Sequence, residues 1–316
     1  MKIKFVILST SNVGISNANA ILDCGHEVLA IISMPQESLP NNGANIEKYA
    51  KQKNLPYYEF LDINSPNSIE ILSQLKPDYI FSSWPKIINK EVLNIPNNFS
   101  IGTHPTALPF NRGRHPLHWI IDLGISESKL SFFKMSKVVD DGDIILQYPF
   151  KIDSDDEIED VNSRVDLAAY DGTKILCQKL ISEPSYSGDK QKHELANYWR
   201  MRTPHDVTLD LRMQADSILK IVRSFTLPYP CANLIFENYI IKIKEVAIVK
   251  TEKSYEDLKR IEPGKIISIE NKKIIVKVSD EIISLSSIDS LPKEMLLAQY
   301  IHPPSKYIMK NDIKFN

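Results

Sequence analysis

Apolar runs of strand length alternate with helix-like stretches through the first half of the chain. Residues 2–8 form an apolar run that the polar Ser9-Thr10-Ser11-Asn12 cuts off, and a helix-like stretch at 17–23, a β run at 27–33 and a second helix at 46–52 follow. Alternation of this kind needs crossover connections and predicts a mostly parallel sheet. A helix-like 68–75 then leads to 78–82, whose Tyr-Ile-Phe core reads as a buried strand running into the turn Ser83-Trp84-Pro85-Lys86. Open α/β sheets take their ligands at the loops that follow such strands.

From 98 to 152 the pattern predicts a strand at 99–103, a loop with Pro105, Pro109 and Pro116, a helix at 117–123, and two β runs at 129–135 and 144–152. A long amphipathic helix follows. Its apolar positions Ile158, Val161, Val165, Ala168, Gly172, Leu176 and Leu180 recur in three- and four-residue steps, and Ser154 with Glu157 predicts a capping box. This helix closes a first domain at 1–182. Residues 183–205, with Pro184, Ser185, Ser187, Gly188 and a polar Asp-Lys-Gln-Lys-His run, read as a linker. A second domain at 206–316 opens with a helix carrying Ala215, Ile218, Leu219, Val222 and Phe225 on one face. Short β runs at 233–236, 239–249, 265–269, 273–278 and 282–285 then predict a small antiparallel barrel or meander.

Composition narrows the possible functions. Across 316 residues, Lys+Arg 38 against Asp+Glu 40 gives a net charge of -2, which leaves no basic excess for a polyphosphate and argues against bulk nucleic-acid binding. The ten glycines are never closer than eleven positions, so neither GxGxxG nor GxxxxGK[ST] occurs. Cys24, Cys177 and Cys231 lack any CxxC spacing, which points away from a zinc site or a disulfide framework and toward a reduced cytoplasm. The first apolar run is too short for a signal sequence, and no later run reaches membrane-spanning length.

The candidate chemistry gathers in two loops. His104, His115 and His118 fall within fifteen residues, beside Arg112 and Arg114. The HxxH spacing of the last two supplies only two ligands where zinc takes three or four, so no metal is expected. Val139-Asp140-Asp141-Gly142-Asp143 places three carboxylates in four positions between two β runs, hard to bury without partners, although an acidic turn alone reads more readily as solvated. His104 follows an apolar strand and precedes a proline. There it can serve as a general base at the C-terminal edge of the sheet, with Asp140 holding its tautomer.

The joint pattern His104-Pro-Thr-Ala-Leu-Pro-Phe-Asn-Arg-Gly, then Lys134-Met-Ser-Lys-Val-Val-Asp140-Asp-Gly-Asp143-Ile, resembles the folate-dependent formyltransferase family, which carries HxSLLPxxRG and a DxGxDTGDI-type loop. That family includes methionyl-tRNA formyltransferases and nucleotide-sugar N-formyltransferases. Thr203-Pro204-His205-Asp206, 215–225, Pro228-Tyr-Pro230 and Pro263-Gly264-Lys-Ile266 are similar to its C-terminal domain. The resemblance implies an α/β protein, with a Rossmann-like formyltransferase domain followed by a small β-rich, OB-like domain. It also implies N10-formyltetrahydrofolate as co-substrate, lying against Ser83, Trp84, Pro85, Lys86 and Ile101 and positioned partly by Asp140. His104 would accept the amine proton, with Asp140 as its partner. Thr106, Arg112, Gly113 and Arg114 would line the substrate, with bracing of the loop as the alternative role of Arg112-Gly113.

One position departs from the family pattern. The family's catalytic Asn, two places before the His, corresponds to Gly102, and loss of one such donor costs about 10²–10³-fold in rate. Three readings stand open: a substitute donor such as Thr103, Thr106 or a backbone N–H; a subgroup with a modified site; or a weak relative that binds folate or a sugar nucleotide without turnover.

A nucleotide-linked amino sugar, of the kind built for lipopolysaccharide O-antigen in bacteria, ranks first as substrate. Residues 206–316 hold 17 Lys+Arg against 15 Asp+Glu, too balanced for a broad phosphate-binding face. Arg114 also runs directly into the helix at Pro116, without the basic insertion that the tRNA enzymes tend to carry. Methionyl-tRNA is the runner-up, and a small amine such as a hydroxylated ornithine is a third option. A homodimer is left open, and no membrane partner is expected.

Overall fold

In the computed structural model, which describes residues 2–252 and 254–308, the strand-helix alternation becomes a seven-stranded sheet. Its elements are β1 (Lys4–Ser9), β2 (Glu27–Ser33), β3 (Tyr57–Glu59), β4 (Tyr79–Ser83), β5 (Phe99–His104), β7 (Glu127–Lys134) and β8 (Ile144–Lys151), and a pair of two-residue strands, β6 (Arg112–Gly113) and β9 (Tyr198–Trp199), lies apart from it. The sheet order is β3-β2-β1-β4-β5-β7-β8, with β1 to β5 parallel and β7 and β8 antiparallel. β1 is buried from Phe5 to Ser9, as a parallel strand covered on both faces should be. The three-residue β3 at the sheet edge is too short for periodicity to reveal.

Strand order reverses between β1 and β4, and a reversal of this kind opens a ligand crevice beyond the strand ends. Ser9 and Ser83 are register partners there, with hydroxyls 2.6 Å apart. The helices are α1 (Asn12–Asp23), α2 (Ile46–Lys53), α3 (Pro66–Leu75), α4 (Lys90–Leu93), α5 (Pro116–Asp122) and α6 (Ile158–Ser182). α1 begins earlier than its apolar pattern, directly after the polar run that ends β1. Gly14 makes that possible, since a Cβ there would lie 2.2 Å from the Ser9 Cβ.

The capping box expected at Ser154 and Glu157 does not form. Asp160 accepts the Glu157 N–H at 2.9 Å and Asp156 accepts the Asp153 N–H at 2.8 Å, so acidic side chains three residues downstream satisfy the donors around the start of α6. Along α6, Gly172 leaves room for the Phe132 ring, which would lie 2.5 Å from a Cβ at that position.

The chain divides into two compact units. The first holds Met1–Pro116, Glu127–Lys151 and Asn162–Arg200, and the second holds Leu117–Ser126, Ile152–Val161 and Met201–Asn316. Most of the stretch read from composition as a linker, residues 183–200, carries structure within the first unit, because β9 pairs with β6 and Asp189 bridges Ile144. The second unit packs α7 (Ala215–Arg223) on a five-stranded antiparallel sheet of β10 (Ala232–Phe236), β11 (Tyr239–Ile248), β12 (Ile266–Glu270), β13 (Lys273–Lys277) and β14 (Ile282–Ser287), in the order β10-β11-β14-β13-β12. Ile218, Val222, Leu234, Ile243, Ile274, Val276 and Leu285 form its core, and full burial of each such side chain contributes about 1.5–3 kcal/mol. Among the described residues, no helix is long and apolar enough to cross a membrane.

Candidate active site

β5 carries Ile101, Gly102, Thr103 and His104 to the C-terminal edge of the first sheet, beside the end of β4, with Gly102 opposite Ser82. The His104 ring is 5% exposed, and its Nε2–H donates to the Asn111 carbonyl at 2.9 Å. A carbonyl can only accept, so Nε2 carries the proton and a neutral ring keeps its lone pair on Nδ1. Asp140 Oδ2 lies 3.6 Å from that Nδ1 and accepts the Gly113 N–H at 2.9 Å. The tautomer expected to depend on Asp140 is therefore set by the Asn111 backbone. A carboxylate facing the lone pair suits the protonated ring, the form that arises once a proton has been taken up.

Backbone conformation makes these contacts possible. Asn111 (φ 61) and Asp140 (φ 58) both lie in the left-handed region, which Asn and Asp tolerate better than other side-chain-bearing residues. Gly113 has φ 106, and a Cβ there would lie 2.3 Å from the Trp199 carbonyl oxygen. The loop after His104 is fastened to the antiparallel strands. Thr106 Oγ1 donates to the Phe110 carbonyl at 2.8 Å, Ser131 Oγ donates to the Thr106 carbonyl at 2.6 Å, and Gln147 Nε2 donates to the Leu108 carbonyl at 2.9 Å.

Arg112 is 2% exposed. Its guanidinium donates to Tyr198 Oη at 2.9 Å, to Gln191 Oε1 at 2.6 Å and to His193 Nδ1 at 3.1 Å, which gives it a bracing role in the loop. Arg114 has an exposed side chain, and its N–H donates to the Trp199 carbonyl at 3.0 Å. His118 is engaged inside the second unit, where its Nδ1–H donates to the Ser224 carbonyl at 2.5 Å between the rings of Phe225 and Tyr229.

Gly102 is closely packed on its open side. It sits directly opposite Phe133 on β7, and a Cβ at Gly102 would lie 2.8 Å from the Phe133 ring and 3.0 Å from Met135 Cγ. An aromatic ring laid over a cross-strand glycine fills the space of the missing side chain.

The turn after β4 supplies a different surface. Trp84 packs against the cluster of Val6, Leu8, Ile32 and Ile80, and its buried indole Nε1 has no hydrogen-bond partner among the described residues. Ser83 and Pro85 flank Trp84, while Lys86 Nζ reaches back to the Leu61 carbonyl at 3.1 Å.

The structure thus joins His104, Thr106, Arg112, Gly113 and Asp140 in one connected set and leaves Arg114 and Lys86 outside its hydrogen bonds. Asn111, Gln191, His193 and Tyr198 were not anticipated. The last three lie in the polar stretch 183–205, where only the mixture of Gln, His, Asn and aromatic residues hinted at more than a linker.

Comparison with known proteins adds to this geometry. Residues 1–177 match the model of the formyl transferase family and residues 202–302 match that of the formyl transferase C-terminal domain. The bifunctional polymyxin resistance protein ArnA of Wigglesworthia glossinidia brevipalpis is 28% identical over 271 residues, covering 84% of this chain but only 40% of that protein. Methionyl-tRNA formyltransferase of Alkaliphilus oremlandii (strain OhILAs) is 24% identical over 306 residues, 94% of this chain and 96% of that one. The solved N-formyltransferase from Helicobacter canadensis, in complex with folinic acid and dTDP-3-aminofucose, shares the fold with a TM-score of 0.65 at 17% identity, over 92% of this chain and 100% of that one.

Proposed function

The chain belongs to the formyl transferase family, and from that premise we propose that it moves the formyl group of N10-formyltetrahydrofolate onto the amine of a nucleotide-linked amino sugar. The observation that carries the reading is the buried pair of His104 and Asp140 at the strand edge, with the His104 lone pair on Nδ1 and a carboxylate 3.6 Å away. The amine nitrogen attacks the formyl carbon and forms the new C–N bond. Its proton passes to His104 Nδ1, Asp140 stabilises the resulting imidazolium, and the bond from carbon to folate N10 breaks as N10 takes up a proton. The products are the N-formylated sugar and tetrahydrofolate. Trp84, Ser83, Pro85 and Ile101 would hold the folate, with the unpartnered indole N–H as one donor to it.

The sugar reading draws support from the charge balance of residues 206–316, 17 Lys+Arg against 15 Asp+Glu, and from the Helicobacter canadensis enzyme, which shares the fold along its full length. Methionyl-tRNA is the second reading, favoured by the near-complete overlap with the Alkaliphilus oremlandii protein. Tetrahydrofolate release separates them. The enzyme would be given N10-formyltetrahydrofolate with dTDP-, UDP- and GDP-linked 3- and 4-amino sugars, and in parallel with methionyl-tRNA. Turnover on a sugar is expected; turnover on methionyl-tRNA alone would replace the sugar reading, and release with neither would leave a binding protein.

A further inference from the structure

The stretch from Asp189 to Trp199 grips both loops that carry the proposed chemistry. At one end Asp189 and Ile144 exchange two backbone hydrogen bonds of 2.8 Å. At the other, the Asn111 N–H donates to Asn197 Oδ1 and Asn197 Nδ2 donates to Asn111 Oδ1, each at 2.9 Å. Gln191 lies between these anchorages and is 5% exposed. Its Nε2 donates to the Asp140 carbonyl at 2.9 Å and to the Gly142 carbonyl at 2.7 Å, while its Oε1 accepts from Arg112 Nη2 at 2.6 Å.

Only one orientation of this amide works. Carbonyls accept and a guanidinium donates, so a flipped amide would lose all three bonds in a buried place. Arg112 thereby dictates which way Gln191 faces, and Gln191 dictates where the backbone around Asp140 sits. That backbone needs holding. Asp140 is in the left-handed region at φ 58, and Gly142 lies so close to Lys134 that a Cβ there would overlap the Lys134 carbonyl oxygen. With the carbonyls of Asp140 and Gly142 pinned, the Asp140 carboxylate is directed at the Gly113 N–H and at His104.

We infer that Gln191 and Arg112 are positioning residues for formyl transfer: Gln191 fixes the Asp140–Gly142 backbone so that the carboxylate faces His104, and Arg112 fixes the amide of Gln191. The inference rests on the roles given to His104 and Asp140 above. Gln191→Glu tests it, since the variant keeps the size of the side chain and an oxygen for Arg112 but turns an acceptor toward two carbonyls. A displacement of about 1 Å in a reacting group lowers rate by up to about a hundredfold, so kcat should fall at least about tenfold. KM for the formyl donor should change by less than kcat falls, as expected when an interaction is lost mainly in the transition state.

A second readout needs no turnover. Hydrogen exchange at the Gly113 amide, followed by NMR, reports directly on its bond to Asp140 and should accelerate about tenfold or more, the equivalent of about 1.4 kcal/mol of lost protection. Arg112→Lys, which keeps the charge and loses the fork, should give the same split of kcat from KM, and it carries the test if Gln191→Glu fails to fold. A merely structural role would lower the melting temperature while leaving kcat per folded enzyme and Gly113 exchange at wild-type values, and that result would overturn the inference. If the wild type formylates no amine, the functional reading falls, and Gly113 exchange alone decides whether Gln191 seats Asp140.

Discussion

The two flanks of His104 are built from opposite materials. On one side the Asn111 carbonyl, the Gly113 N–H, Asp140, Gln191 and Arg112 form a buried polar network in which nearly every contact has a fixed donor and acceptor. On the other, two residues back along β5, Gly102 is sealed by the Phe133 ring and the Met135 side chain. In the proposed reaction the polar flank would take up a proton and balance the charge it creates. The apolar flank occupies the place where the resembled family has an amide donor for the formyl oxygen. On the proposed mechanism, proton transfer and oxyanion stabilisation are therefore separable: His104 and Asp140 would serve the first, and a group other than residue 102 would serve the second.

The largest effect should follow from removing the proton acceptor. His104→Asn should lower kcat by about 10²–10⁴-fold, the usual contribution of a positioned base, while the melting temperature changes little. Asp140→Asn should approach the same loss because it leaves the imidazolium uncompensated. Tetrahydrofolate release by purified variants measures both, and near-normal turnover in either would break the assignment of this flank to proton transfer.

This contrast also separates what the sequence made legible from what it did not. His104 stood out because it follows an apolar strand and precedes a proline, and Asp140 because its acidic turn forms, together with the His104 loop, a joint pattern that resembles the formyltransferase family; the structure brings the two side chains to 3.6 Å. The alternating strands and α6 were readable from periodicity. The partners of His104 and Asp140 were not readable. Asn111 acts through its carbonyl, which every residue has, and Gln191 meets Asp140 from 51 positions away. The seal over Gly102 depends on the register between β5 and β7, and side-chain alternation gives the face of a strand without its partner.

Next in size is Gly113→Ala, which attacks the polar flank through its backbone. The position combines φ 106 with a carbonyl 2.3 Å from the new Cβ, so the variant should lose about 1–3 kcal/mol of stability in a thermal or denaturant melt. Turnover should fall with it, since the Gly113 N–H seats Asp140. Wild-type stability would mean that the strap carrying Trp199 yields easily.

Gly102→Asn probes the other flank. Restoring the family's amide should not restore its function, because the new Cβ meets the Phe133 ring at 2.8 Å, and overpacking of this kind typically destabilises by about 1–3 kcal/mol. Combining it with Phe133→Ala removes the obstruction, and a rate higher than that of Phe133→Ala alone would show that the donor side can be rebuilt. A gain in rate from Gly102→Asn by itself would show that Phe133 moves aside freely.

Met135→Leu should have the smallest effect and draws the sharpest line between the flanks. Met and Leu have nearly the same volume, dispersion contacts carry no direction, and a swap of this type usually costs less than about 1.5 kcal/mol. Its turnover should stay within about twofold of wild type, because the Phe133 and Met135 side chains that pack on that flank neither exchange a proton nor accept a charge. Gln191→Glu is just as conservative in volume, yet it reverses the polarity of a group with two carbonyl partners. Equal sensitivity to the two substitutions would mean that packing governs both flanks, whereas a tolerant Met135 beside an intolerant Gln191 assigns the chemistry to hydrogen-bond direction on one side and to filled space on the other.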